Sequence, residues 1–295
     1  MSIKKILFPT KFRAFAFNAL ESLLVLKKAG LKEIILCHVI SREEVGFVPY
    51  GGYLKEEEEK MREEARIKLE DWQKFLSKKG IKSRIVIEVG KPISKILDIA
   101  EEKKVDLIIV GRKKKIAIKK SFIGSYTSKI ISCSHIPVLA NKYMVQFELD
   151  GATLTRTNDR LFEMPLLITD WSDPSQNALE FLVSLKGVVK KVFVLHNIDV
   201  KVSKEPDKSE LHHVEKECSE NLDESCKKLK HAGIKAEPHL SAGDVVQEIL
   251  RFSRERDATM IIAGTTCKDR LHEMLHRSIS HQVAKMSELP TLLVP

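Results

Sequence analysis

Asp170, Gly264, Thr265, Thr266, Arg277, Ser278 and Ser280 bring a carboxylate, a glycine, several hydroxyls and a guanidinium to one half of this chain. Such a set suits a small, hydroxyl-bearing anion. The carboxylate accepts from hydroxyls, the glycine lets backbone approach closely, and the hydroxyls and Arg277 donate to phosphate oxygens. Thr169 precedes Asp170, and Asn197 lies at the end of the next apolar run. The other half carries Thr10, Val39, Gly111, Arg112, Gly124 and Ser125 at the matching places. A helix starting after Gly124-Ser125 aims free backbone N–H groups at an anion, and Arg112, Lys114 and Lys115 add positive charge. Lys11 stands there in place of Asp170 and offers a donor where Asp170 offers acceptors.

The two halves match because the chain is a duplication. Gly90, Gly111 and Pro137 recur as Gly243, Gly264 and Pro290, each 153 positions on and each in similar surroundings. A site sought in one copy must therefore be sought in the other.

Both copies alternate strand and helix patterns. In half one the apolar runs 3–9, 34–39, 81–89, 105–110 and 136–140 read as buried strands, and 16–29, 54–79, 93–102 and 122–134 as helices. The stripe Met61, Ala65, Leu69, Trp72 and Leu76 ends at Gly80, as an amphipathic helix should. Half two repeats the order with strands over 165–169, 191–196, 234–240, 259–263 and 291–294, and helices over 176–186, 211–231, 245–256 and 275–286. The expected fold is α/β: two doubly wound domains, each a five-stranded parallel sheet with helices on both faces. The boundaries are 1–142 and 164–295, joined by a polar linker or exchanged hairpin over 143–163. The final strands, 136–140 and 291–294, are expected to pair the halves, with a further homodimer left open.

Composition narrows the partners. The net charge of +9 is concentrated at Arg112–Lys115 and Lys119-Lys120, which suits a small anion or local acidic partner better than duplex nucleic acid. No apolar run is long enough to span a membrane, and the basic N-terminus enters a strand instead of a signal-peptide core. Five cysteines without a CxxC pair suggest reduced thiols and a cytoplasmic location, with Cys218 a small hydrophobe on a helix stripe.

Ile6–Thr10, His38-Val39, Gly90-Lys91-Pro92, Asp106–Gly111, Ile123-Gly124-Ser125 and Ile136–Leu139, in that order and spacing, resemble the universal stress protein family over both halves. The resemblance implies paired five-stranded domains and, in one branch, adenine nucleotide binding through a G-x2-G-x9-G-[S/T] loop. It also implies an aspartate at the end of the first strand that holds the ribose, a place taken by Asp170 and Lys11. Half one reads Gly111, Lys114, Gly124-Ser125 against the loop pattern, and half two reads Gly264, Cys267, Arg277-Ser278. Arg277 narrows the far end of the phosphate path, so AMP is the expected ligand, with ADP or ATP admitted and magnesium undecided.

Plainer readings stand beside these. Gly111 and Gly264 also fit strand ends, Asp170 a helix cap, and 112–120 a solvated loop. His38 and His196 read as strand-end structural residues, and the adjacent His212-His213 pair makes a poor metal site. No nucleophile, zinc or P-loop signature is present, and only Asp269 and Glu273 lie near the presumed phosphates, so no efficient catalysis is expected. A non-catalytic nucleotide sensor with an unknown protein partner is the leading expectation. A decayed interaction scaffold and a weak ATPase are the alternatives.

Overall fold

The computed structural model describes residues 2–45, 47–48, 52–53, 55–111, 123–149, 152–198, 208–266 and 278–295. Half one runs β1 (Lys5–Pro9), α1 (Ala16–Ser22), a 3-10 segment (Leu23–Ala29), β2 (Glu33–Ser41), α2 (Arg42–Val45), β3 (Phe47–Val48), β4 (Gly52–Tyr53) and α3 (Lys55–Lys78). It continues with β5 (Lys82–Gly90), α4 (Pro92–Glu102), β6 (Leu107–Gly111), α5 (Ser125–Cys133) and β7 (Val138–Asn141). The join forms a separate antiparallel hairpin, β8 (Met144–Leu149) with β9 (Ala152–Thr157). Half two runs β10 (Pro165–Ile168), α6 (Asp173–Ser184), β11 (Lys191–Ile198), α7 (Lys208–His231) and β12 (Lys235–Ala242). It ends with α8 (Val245–Glu255), β13 (Met260–Gly264), α9 (Ile279–Met286) and β14 (Thr291–Val294).

Ten strands make one sheet in the order β12-β11-β10-β13-β14-β7-β6-β1-β2-β5. Within each half the neighbours are parallel, and at the seam β14 meets β7 antiparallel with Leu292 opposite Leu139. First and fourth strands lie side by side, β1 with β6 and β10 with β13. That is the point where connections depart to opposite sides, and where open parallel sheets bind ligands.

Nearly continuous apolar strands demand cover on both faces. One face packs against α1, α3, α6 and α7 through Leu20, Leu26, Leu69, Leu182 and Leu222, in a core that runs across both halves and takes in Leu161 and Phe162 from the join. The other face packs against α4, α5, α8 and α9 through Ile96, Ile130, Ile249 and Val283.

Three local features depart from the sequence expectation. The helix expected over 16–29 tightens to 3-10 geometry from Leu23, where Ser22 Oγ donates back to Ala19 O at 2.8 Å and competes with the α ladder. α5 starts at Ser125, not 122, because Gly124 holds an extended cap conformation (φ −83°, ψ 167°). The loop after β2 contains the short α2 and the β3–β4 hairpin, which no periodicity announced.

Candidate functional site

Both halves build the end of their first strand in the same way. Trp171 N–H donates to Thr169 Oγ1 at 3.1 Å, and Trp171 adopts φ 58° with its ring 4.1 Å from the His196 ring. In half one Phe12 N–H donates to Thr10 Oγ1 at 3.0 Å, and Phe12 has φ 51° with its ring 5.0 Å from His38. The Nδ1 atoms of His38 and His196 lie 2.8 Å from Thr10 O and Thr169 O. A carbonyl only accepts, so each Nδ1 is the donor and the tautomer is fixed. These histidines tie second strand to first. Phe12 and Trp171 escaped the sequence reading, although the Thr-x-aromatic order at one repeat position was available as a signal.

This turn presents Asp170. Its Oδ1 accepts from Ser172 N–H at 3.1 Å and from Ser172 Oγ at 2.5 Å. Burial raises the carboxyl, but the hydrogen bonds from Ser172 outweigh it and hold Asp170 below its ordinary value. The residue at the helix cap position is Ser172, with α6 starting at Asp173-Pro174. Asp170 thus serves the turn that leads into α6, without capping the helix itself.

A cavity of about 290 Å³ opens at the β10/β13 switch point, lined by Thr169, Asp170, His196, Asn197, Gly264, Thr265, Ser278 and Ser280 among others. Eight sequence candidates, Thr266 among them, therefore share one wall system. Its floor is apolar, from Ile168, Leu195, Val245 and Ile249, and its rim carries hydroxyls. Thr265 Oγ1 is buried without a hydrogen-bond partner among the described residues. Ser278 caps α9, accepting from His281 N–H at 3.4 Å, so the N-terminus of that helix faces the same space. Asn197 is less available than expected, since Nδ2 donates to Gly243 O at 3.1 Å and Oδ1 accepts from Ser241 Oγ at 2.7 Å.

Gly264 earns its place through packing. A Cβ there would lie 2.4 Å from Pro174 C and 2.5 Å from Ser175 N, so only glycine lets the start of α6 cross the strand end. At Gly111 the same test meets nothing within 4 Å among the described residues.

Half one differs at each matching place. Lys11 Nζ lies 2.9 Å from Glu44 Oε1, and Glu44 Oε2 accepts from Ser41 N–H at 3.0 Å. Val39 is 4% exposed, and α2 packs against its strand. Thr127 Oγ1 donates to Gly111 O at 2.9 Å, while Gly124 precedes α5 without a side-chain cap and Ser125 is its exposed first residue. Arg112, Lys114, Lys115, Cys267, Asp269, Glu273 and Arg277 lie outside the described residues. Among the described residues no group of three or more His, Cys, Asp and Glu could hold a metal ion. No described helix is long and apolar enough to cross a membrane.

A duplicated 3-2-1-4-5 parallel sheet with a cavity at its switch point defines the class, and comparison with known proteins supplies the family. The model of the universal stress protein family matches residues 2–142 and 166–295. Universal stress protein MJ0577 of Methanocaldococcus jannaschii is 37% identical over 153 residues, covering 47% of this chain and 94% of that protein. Universal stress protein MJ0531 of the same organism is 27% identical over 139 residues, covering 47% and 82%. The crystal structure of a universal stress protein from Archaeoglobus fulgidus DSM 4304 superposes with a TM-score of 0.73 at 23% identity, over 99% of this chain and 96% of that one, and shows the same fold. The chain belongs to the universal stress protein family, with two family domains in tandem.

Proposed function

We propose that this chain is a non-catalytic adenine-nucleotide-binding regulator of the stress response, with its ligand site in half two. The observation that carries the proposal is the convergence of Asp170, Thr265 and the Ser278-capped start of α9 on one cavity. Asp170 is a carboxylate at neutral pH and can accept from ribose hydroxyls, while the cap of α9 offers N–H donors to phosphate. The adenine class comes from the family resemblance, and the apolar lining and hydroxyls of the cavity support it. The cavity of about 290 Å³ is at the small end of ligand pockets, roughly 300–1,000 Å³, and the preference for AMP over an extended triphosphate rests on Arg277 standing where the loop pattern has glycine. Cys37, Cys133, Cys218 and Cys226 are free thiols, in keeping with the cytoplasmic location proposed with this role.

Calorimetric titration of AMP, ADP and ATP into the chain and into Asp170→Ala tests this reading. We expect AMP to bind and the variant to lose about tenfold or more in affinity, the value of a lost charged hydrogen bond. Tighter binding of ATP than AMP would overturn the short-chain assignment. No binding of any of the three would leave an interaction scaffold. Repeating the AMP titration in EDTA is expected to leave its affinity unchanged.

A further inference from the structure

Half two is read above as the ligand site; half one carries different side chains at the matching places. The repeat sets Lys11 against Asp170, Cys37 against Leu195, Val39 against Asn197 and Tyr126 against Ile279. Ile279 is 44% exposed at the cavity wall, whereas Tyr126 turns inward and packs on the core cluster that holds Cys37 and Val39. Burial drives the Tyr126 phenol well above its ordinary range, and the neighbouring Cys37 adds to this. Cys37 is fully buried, its thiol pushed up to about 12 by burial first and Glu88 second. Beyond the end of β2, α2 buries Val45, and Glu44 binds both Lys11 and Ser41.

We propose that half one is a self-filled site: Tyr126 occupies the space that stands open in half two, the Lys11–Glu44 pair closes its mouth, and the chain holds one ligand instead of two. The geometry of duplication gives this its force. Both halves keep the Thr-x-aromatic turn and its histidine, so the framework of the site is the same in each. The two differ in what fills it. A lysine replaces the acceptor, an acid ties that lysine down, and a large ring replaces a rim residue. The statement about ligand number rests on the nucleotide reading, whereas the filling does not.

Two measurements separate those claims. By equilibrium dialysis, the native chain is expected to bind one AMP, and the double variant Lys11→Asp, Tyr126→Ile, which installs the residue types of half two, to bind two. Two AMP bound by the native chain, or one by a folded double variant, would overturn the proposal. Iodoacetamide labelling without ligand, read by peptide mass, tests the filling alone. Lys11→Ala, Tyr126→Ala is expected to label at Cys37 about tenfold faster or more, as local opening allows, while buried Cys218 and Cys226 keep their native rates. An unchanged Cys37 rate, or a common rise at all three thiols, would refute the filled site. If the native chain binds no AMP but Cys37 labels as expected, the nucleotide reading fails and the filling stands.

Discussion

At the scale of single residues, the two strand-end glycines show how one residue type serves different ends. Gly264 has backbone atoms of Pro174 and Ser175 where a Cβ would go, and Gly111 has no atom of the described residues within 4 Å of that place. Gly264→Ala is expected to cost about 2–3 kcal/mol, the upper part of the overpacking range, and Gly111→Ala to be neutral or stabilising by up to about 1 kcal/mol. Urea unfolding of both variants measures this, and equal costs would contradict the packing account. His239 offers a second test. Burial, with Arg256 and Arg251 close by, holds its imidazole below the ordinary value. The folded chain thus resists the charged form, so the contribution to stability is complete above the ordinary pKa and is lost as pH falls through the lowered one. The fall in Tm from about pH 7 to 5 is expected to be shallower in His239→Phe, which keeps the ring stacked on Phe252. An identical slope would exclude His239 as its source. The place of Asp170 on the cavity wall was legible in the sequence, because the repeat marks the end of the first strand. The commitment of a side chain was not legible, as with the amide of Asn197, because a partner distant in sequence makes it.

Elements were readable where periodicity is long. α3 and α7 span 24 residues each, and their stripes located them to within a few residues. α2 and the β3–β4 hairpin are too short to show a period, and the Tyr126 side of α5 was hidden because inward and outward aromatic residues look alike in sequence. The sheet edges carry a further element-scale device. β5 is an edge strand, and α3 reaches over it: Arg62 donates to Ile87 O at 2.8 Å and Gln73 to Ser83 O at 2.9 Å. Ser83 and Ile87 have the same parity, so both carbonyls project from the same side of the strand. At the opposite edge, Pro238 in β12 has no N–H to offer another strand. Long unpaired edges invite pairing with other chains, and these caps deny it. Arg62→Ala with Gln73→Ala is expected to leave the fold intact and to produce concentration-dependent association, visible by light scattering. A variant as monodisperse as its parent would show that the caps do not guard the edge.

The whole molecule is more unified than two family domains in tandem suggest. The β7–β14 seam makes a single sheet, the cores on both its faces are continuous across it, and on the face covered by α5 and α9 His281 Nε2 lies 3.0 Å from Ser132 Oγ. On the other face Gly187, just beyond α6, abuts the end of the 3-10 segment, where a Cβ would lie 2.1 Å from Lys28 O. Sequence alone showed the duplication but not this fit, because the contact joins residues far apart in the chain. Such docking couples the unfolding of the halves, so the native chain is expected to give one calorimetric transition. Gly187→Ala forces the halves apart locally at about 2 kcal/mol, within the usual cost of overpacking. The expected result is a lower Tm and a transition that broadens or splits. On the proposed nucleotide reading, AMP then becomes a reporter of coupling. A ligand bound only to half two adds about 2.7 kcal/mol at a hundredfold excess over Kd. In the native chain that should move the entire transition upward. In Gly187→Ala it should move only the component belonging to half two, identified by hydrogen exchange of β10 and β13 against β1 and β6. If AMP raises both components of the variant equally, the halves remain one cooperative unit without close docking at Gly187, and the seam alone couples them.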